Sequence, residues 1–120
     1  TAEVTQTMRI LDEKHLSNQV VPVFISVDYL RDTPKTVETY LNAFDKRFIG
    51  LTGTEAQLDL TVDAFNAFYE VTKDPNAHHG GIDVVHSNMV FLVDPSGRIK
   101  EQFLLGFKPN FLAGKIESFL

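Results

Sequence analysis

An uninterrupted apolar run followed by a turn signal is the strongest constraint on the fold of this 120-residue chain. Met89–Val93 has no polar side chain, which is typical of a strand buried on both faces of a sheet. Residues 94–97 read DPSG. The aspartate can bond its own backbone, the proline presets φ and the glycine tolerates a positive φ. Residues 98–105 are therefore predicted to return as the second strand of a hairpin.

One imidazole, His86, precedes this strand. We expect it to face a site at the strand entrance while its neighbours fill the core. On the residues alone, a single histidine is more often a hydrogen-bonded structural residue than a ligand. The residues by themselves leave both interpretations of His86 open.

Composition narrows the class of protein. A chain of this length forms one domain, and its 43% hydrophobic content with ten phenylalanines supplies a core. A net charge of −5 argues against nucleic-acid binding, which requires a basic surface. No apolar run approaches a membrane span and no signal peptide is recognisable, so we expect a mature or trimmed fragment. With no cysteine, these residues supply neither disulfides nor thiolate ligands nor thiol redox chemistry.

Helical periodicity appears in four places. The first helix presents an apolar face and ends at residues 17–18; the second begins at Thr33 and Pro34; the third begins at Thr54 with a capping-box glutamine; the last follows Asn110 as its cap. The side chains predicted to face inward are Val4, Met8, Leu11 and His15; Val37, Tyr40, Leu41 and Phe44; Leu58, Val62, Phe65 and Phe68; and Leu112, Ile116, Phe119 and Leu120.

Extended segments alternate with these helices. Residues 20–27 predict a buried, central parallel strand, and residues 48–51 and 68–71 predict short extended pieces. Residues 72–83 are polar, aperiodic and contain glycine, so we expect a mobile surface loop near His86. The alternation of helix and strand, closed by an antiparallel hairpin, predicts an α/β fold with one mixed sheet and helices on both faces.

Several motifs together resemble the Sco/SenC family from the first helix to the last. They are ISVD at 25–28, RDTP at 31–34, RFIGLTGT at 47–54, HS at 86–87 and FLVDPSGR at 91–98, in matching order and spacing. The resemblance implies a thioredoxin-like fold over residues 1–120, as one domain lacking the family's N-terminal strand and CxxxC segment.

The same resemblance implies a copper-binding metallochaperone that assists assembly of the binuclear copper centre of cytochrome c oxidase. Family members bind Cu(I) or Cu(II) through the two cysteines of CxxxC and one distant histidine, which His86 matches. The cysteines are expected upstream of the first helix, so this chain carries one of three ligands. Val85 departs from the acidic residue that commonly precedes the histidine.

Partners and location are implied in the same way. They are the copper subunit of cytochrome c oxidase and copper-donor proteins, no nucleic acid, and a membrane only through an anchor outside this chain. The implied location is the bacterial inner membrane facing the periplasm, or alternatively the mitochondrial intermembrane space.

Other candidate residues have plainer explanations. The pair His78 and His79 suits a solvated loop better than a metal site, since adjacent loop residues rarely aim at one ion. Met89 offers a thioether for Cu(I) but lies in an apolar run that favours core packing. The group Asp28, Arg31 and Asp32 is expected to organise its loop through arginine–carboxylate bonds. Ser87 lacks the glycines of a nucleophile elbow.

Two classes of function stay open. One is the copper metallochaperone, with thiol–disulfide activity in the intact protein. The other is a cysteine-free thioredoxin-like module that binds a partner without metal. A peroxiredoxin-type enzyme is disfavoured because its chemistry needs a thiolate. The sequence upstream of Thr1 distinguishes the first two, since a CxxxC motif there decides for copper.

Overall fold

The computed structural model describes residues 1–73, 82–86 and 88–120. Its helices and strands, in chain order, are α1 Ala2–Glu13, a 3-10 turn Ser17–Gln19, β1 Val23–Ile25, α2 Pro34–Asn42, β2 Ile49–Leu51, α3 Glu55–Ala64, β3 Tyr69–Lys73, β4 Ile82–His86, β5 Met89–Val93, β6 Ile99–Leu104 and α4 Pro109–Ser118. This order confirms the predicted alternation and adds one strand, β4, directly before the hairpin.

The strands pair two by two. β1 and β2 are parallel with Val23 opposite Ile49, whereas β3–β4 and β5–β6 are antiparallel. Within the described residues, β1 has only β2 as a strand partner, so its predicted central position in one continuous sheet is wrong there. An apolar run shows that a strand is buried, but it does not say how many neighbours pair with it.

The predicted hairpin is confirmed. In its turn the Asp94 Oδ1 atom accepts hydrogen bonds from the backbone N–H groups of Ser96 and Arg98, at 2.9 and 3.0 Å. Gly97 has a φ of 88°, which a residue without a Cβ adopts at no steric cost. The turn therefore forms for the reasons that the DPSG sequence suggested.

The main core joins α1, α4 and the hairpin. Its buried members, all less than a tenth exposed, are Met8, Leu11, Phe103, Leu112, Ala113 and Ile116. Val90 and Leu92 of β5 pack against this cluster. Two helices therefore cover the inner face of the β5–β6 hairpin, and burial of these side chains supplies most of the driving force for their association.

A second packing centre joins α2 to the β1–β2 pair. A Cβ atom at Gly50 would lie 2.6 Å from Val37 Cγ1 and 2.8 Å from Leu41 Cδ1, so this glycine allows helix and strand to approach closely. On the opposite face Val23 is 50% exposed and Ile49 48%. The prediction that residues 20–27 are buried on both faces is therefore wrong for this pair, which is covered on one face only.

The helix starts are partly as predicted. Thr33 and Thr54 each accept a bond from the third helical backbone N–H, and Thr36 and Gln57 complete capping boxes. Asn110 is not the cap of α4, because Lys108 holds that position and Pro109 opens the helix. A proline is preorganised for the first helical position, so the helix begins at Pro109. Asn110 then lies inside the helix and cannot be its cap.

Several side chains predicted to face inward are exposed instead. Tyr40 is 47% exposed and Phe68 54%, while Phe119 and Leu120 also remain open to solvent. His15 follows the end of α1 at Glu13 and adopts a φ of 58°, so it does not extend the helical face. Buried Met8 and Leu11 nevertheless confirm the face predicted for α1.

Part of the predicted loop is strand. Thr72 and Lys73 end β3, and Ile82 and Asp83 begin β4, so residues at both ends of the 72–83 segment belong to a ladder. Residues 74–81 lie outside the described residues, and the expected mobility of the segment stays a prediction. Among the helices of the described chain, none combines the length and apolar character needed to cross a membrane.

Candidate functional site

His86 is the last residue of β4, and its side chain is exposed. It precedes β5 as predicted, but it ends a separate strand instead of beginning the hairpin strand. Its neighbour Val85 is 56% exposed and does not fill the core as expected. His86 is thus held by a ladder on one side and is open to solvent on the other, which is an accessible position for a ligand.

The β3–β4 ladder sets the surroundings of His86. Tyr69 lies directly opposite His86, and Val71 lies opposite Val84. Residues opposite each other in an antiparallel pair share one face, so these four side chains point the same way. Tyr69, Val71 and Val84 are half-buried, whereas Glu70 and Val85 on the other face are exposed. His86 therefore lies on the same face as these half-buried side chains, and is itself exposed.

A hydrogen bond ties that face to α3. The Tyr69 hydroxyl donates to Asp59 Oδ1 at 2.6 Å. Burial raises the pKa of the Tyr69 phenol above its usual value, and the hydrogen bond to the Asp59 carboxylate raises it further. The phenol therefore stays protonated at neutral pH, and the donor direction of this bond is fixed.

The other candidate metal ligands named from the sequence are Met89, His78 and His79. In the part of the chain that the structure describes, no three His, Cys, Asp or Glu side chains come together as a metal-holding group. Met89 is half-buried within β5. His78, His79 and Ser87 lie outside the described residues, so the interpretations given for them stay predictions.

The loop after β1 is organised by its own polar residues, as expected for Asp28 and Arg31. Arg31 Nε donates to Asp28 Oδ2 at 2.6 Å. Asp32 bonds differently, because its carboxylate accepts from the hydroxyls of Ser26 and Thr36. Ser26 is buried directly after β1, so these bonds fix the path from the strand into the cap of α2.

Sequence reasoning missed Tyr69 as the residue opposite the candidate ligand, and Asp59 as the partner of the Tyr69 hydroxyl. The register that brings Tyr69 opposite His86 pairs residues that lie far apart in the sequence. Neither periodicity nor a motif reports that register. Only the aromatic and apolar character of residues 68–71 suggested a strand in this region.

Fold and site together define a class, an α/β protein of the thioredoxin-like kind with an accessible histidine at a strand end. Residues 1–120 match the family model described as SCO1/SenC. The chain is 36% identical over 104 residues to an SCO2-like protein of Rickettsia prowazekii (strain Madrid E), covering 86% of this chain and 49% of that protein. It is 34% identical over 103 residues to protein SenC of Rhodobacter capsulatus, covering 86% and 45%. The chain belongs to the SCO1/SenC family.

A solved structure supports the same assignment. The structure of Bradyrhizobium japonicum ScoI with copper bound matches 99% of this chain and 73% of that chain, with a TM-score of 0.82 and 27% sequence identity. The resemblance stated from the motifs and the thioredoxin-like fold are thereby confirmed. The chain spans about half the length of the curated relatives it matches.

Proposed function

We propose that this chain is the larger part of a copper metallochaperone domain in which His86 is one copper ligand. Membership in the SCO1/SenC family and the copper-bound Sco structures support a copper-related chaperone role. The match over 99% of the chain to a ScoI structure with copper bound carries the proposal. In this role copper is the cargo that the protein accepts and releases.

The donor set supports part of a copper site. The imidazole of His86 is an acceptable donor for either oxidation state of copper, and its exposure lets an ion approach. The described residues contain no group of three or more His, Cys, Asp or Glu side chains that could hold a metal ion, and the chain contains no cysteine. One imidazole leaves most of the coordination sphere to water, so tight Cu(I) binding requires thiolates that these 120 residues do not contain.

The finer proposals follow from the family. The cargo is destined for the binuclear copper centre of cytochrome c oxidase, and the partners are its copper subunit and copper-donor proteins. Residues 1–120 form one domain, anchored to the bacterial inner membrane by a segment outside this chain and facing the periplasm, or located in the mitochondrial intermembrane space. Thiol–disulfide activity belongs to the intact protein, because exchange requires cysteines.

Competition with a Cu(I) chelator tests the ligand assignment. We compare the 120-residue chain, the intact protein and its His86→Ala variant. The chain is expected to bind Cu(I) far more weakly than the intact protein. His86→Ala is expected to weaken binding by at least about 10-fold, since even outer-shell changes at metal sites have effects of that size.

A matched control shows whether the loss of affinity is specific to His86 or follows from removing any exposed histidine. His15 is another exposed histidine, and its φ of 58° is tolerated by asparagine, so His15→Asn removes an imidazole without added strain. This variant is expected to keep the affinity of the intact protein. Equal affinity of the intact protein and His86→Ala would return His86 to a structural role and favour the metal-free partner-binding module.

A further inference from the structure

The cross-strand neighbour of the candidate ligand is fixed at two points. The backbone of Tyr69 is held in the β3–β4 ladder opposite His86, and its hydroxyl is held by Asp59 on α3. A phenol that donates to a carboxylate at 2.6 Å makes a charge-assisted bond, which is stronger than a bond between neutral groups. The Tyr69 ring therefore cannot turn away without breaking this bond.

A fixed ring opposite His86 limits what the imidazole can do. The Cβ atoms of directly opposed residues lie about 5 Å apart, which brings an aromatic ring within reach of its partner. Because Tyr69 and His86 lie opposite each other on one face of the ladder, a His86 rotamer directed at the ring would be costly. His86 is the last residue of β4, and Tyr69 is its partner in the ladder.

We propose that Tyr69, anchored by Asp59, is a positioning residue that holds the His86 imidazole in the orientation used for copper. This inference rests on the proposed function of His86 and adds the device that orients it. The Tyr69 hydroxyl donates to Asp59, and Tyr69 is not itself proposed as a ligand. The role requires an acceptor at position 59 but not a negative charge there.

Three variants separate these requirements. Tyr69→Phe keeps the ring and removes its anchor, Asp59→Ala removes the acceptor, and Asp59→Asn keeps an acceptor oxygen without the charge. Tyr40→Phe is the control, because the Tyr40 hydroxyl also makes one long-range bond, to Thr1 Oγ1 at 3.0 Å, away from this ladder. Each change removes or alters one polar group and leaves the side-chain volume nearly intact, except Asp59→Ala.

The first readout needs no copper. Three-bond couplings in the full 120-residue chain report the χ1 distribution of His86, and ring-to-ring nuclear Overhauser effects report its proximity to Tyr69. A single rotamer is expected in the parent chain, in Asp59→Asn and in Tyr40→Phe. Averaged couplings are expected in Tyr69→Phe and Asp59→Ala. Unchanged couplings in both of these variants would overturn the proposal.

The second readout is Cu(I) affinity of the intact protein. Tyr69→Phe and Asp59→Ala are expected to weaken binding by about 10-fold, the lower end of outer-shell effects at metal sites, while Asp59→Asn and Tyr40→Phe retain it. If Asp59→Asn behaves like Asp59→Ala, the charge and not the geometry matters, and positioning is refuted. If His86→Ala leaves the affinity unchanged, the proposed function fails. If His86→Ala weakens binding while Tyr69→Phe does not, only the positioning role fails.

Discussion

At the scale of single residues, Arg47 connects two parts of the fold. Its guanidinium donates to both carboxylate oxygens of Asp12 at the end of α1, at 2.6 and 3.0 Å, and to both oxygens of Asp45 before β2. These bonds hold the pKa of each carboxyl below its usual value. The arginine thus links the main core to the α2–β1–β2 packing centre through the carboxylates of Asp12 and Asp45, which become protonated at acid pH.

We expect Arg47→Gln to lower the free energy of unfolding at pH 7. A carboxyl whose pKa is lowered in the folded state adds stability above its unfolded pKa of about 4, and this stability is lost as the pH falls through the lower folded value. The difference between parent and variant should therefore be largest at neutral pH and shrink below about pH 4. Urea unfolding at several pH values measures it.

The control for Arg47→Gln is Lys14→Gln, which breaks the exposed ion pair between Lys14 and Glu117. Exposed single pairs contribute little to stability, so this variant should change the unfolding free energy only slightly at any pH. A pH-independent loss in Arg47→Gln would show that packing of the arginine side chain, and not its bonds to the carboxylates, causes the effect.

At the scale of the elements, Gly50 allows α2 to pack closely on β2. Gly50→Ala should lower the free energy of unfolding by about 1–3 kcal/mol, because the added methyl group would overpack this contact. Val37 and Leu41 at the contact are buried, so neither can move aside freely. Gly114 of α4 is the matched control, because a Cβ there meets nothing within 4 Å. Gly114→Ala should stabilise the exposed helix position by about 0.5–1 kcal/mol. Thermal or urea unfolding measures both, and equal effects would contradict the close-packing argument.

Local signals predicted elements well where the chemistry is local. The cap at Thr33, the capping box at Thr54 and the turn at residues 94–97 depend on side chains within four residues, and all three form. Burial of residues 20–27 depends on distant neighbours, and that prediction was wrong. For the candidate site, a motif singled out His86, but the strand that carries it and the Tyr69 opposite it follow from long-range register, which local sequence does not encode.

At the scale of the whole molecule, the proposal of one domain makes a prediction about cooperativity. Leu11 is fully buried in the main core, and Leu60 on α3 is 74% exposed. Leu11→Ala should lower the free energy of unfolding by about 2–5 kcal/mol, whereas Leu60→Ala should change it by less than about 0.5 kcal/mol. If residues 1–120 form one domain, the loss in Leu11→Ala should appear equally in probes of α4 and of the distant α2.

The β3–β4 ladder should open more easily than the rest of that domain. None of the side chains described in this ladder, at residues 69–73 and 84–86, is fully buried, whereas β5 and β6 pack against the main core through Val90, Leu92 and Phe103. Amides held by few buried contacts exchange through local opening. Native-state hydrogen exchange should therefore give lower opening free energies for β3 and β4 than for β5 and β6. Equal opening free energies in the four strands would contradict this prediction and would make β4, which carries His86, as rigid as the core. Lower opening free energies in β3 and β4 would mean that Tyr69 and Asp59 orient the imidazole within an element that opens independently.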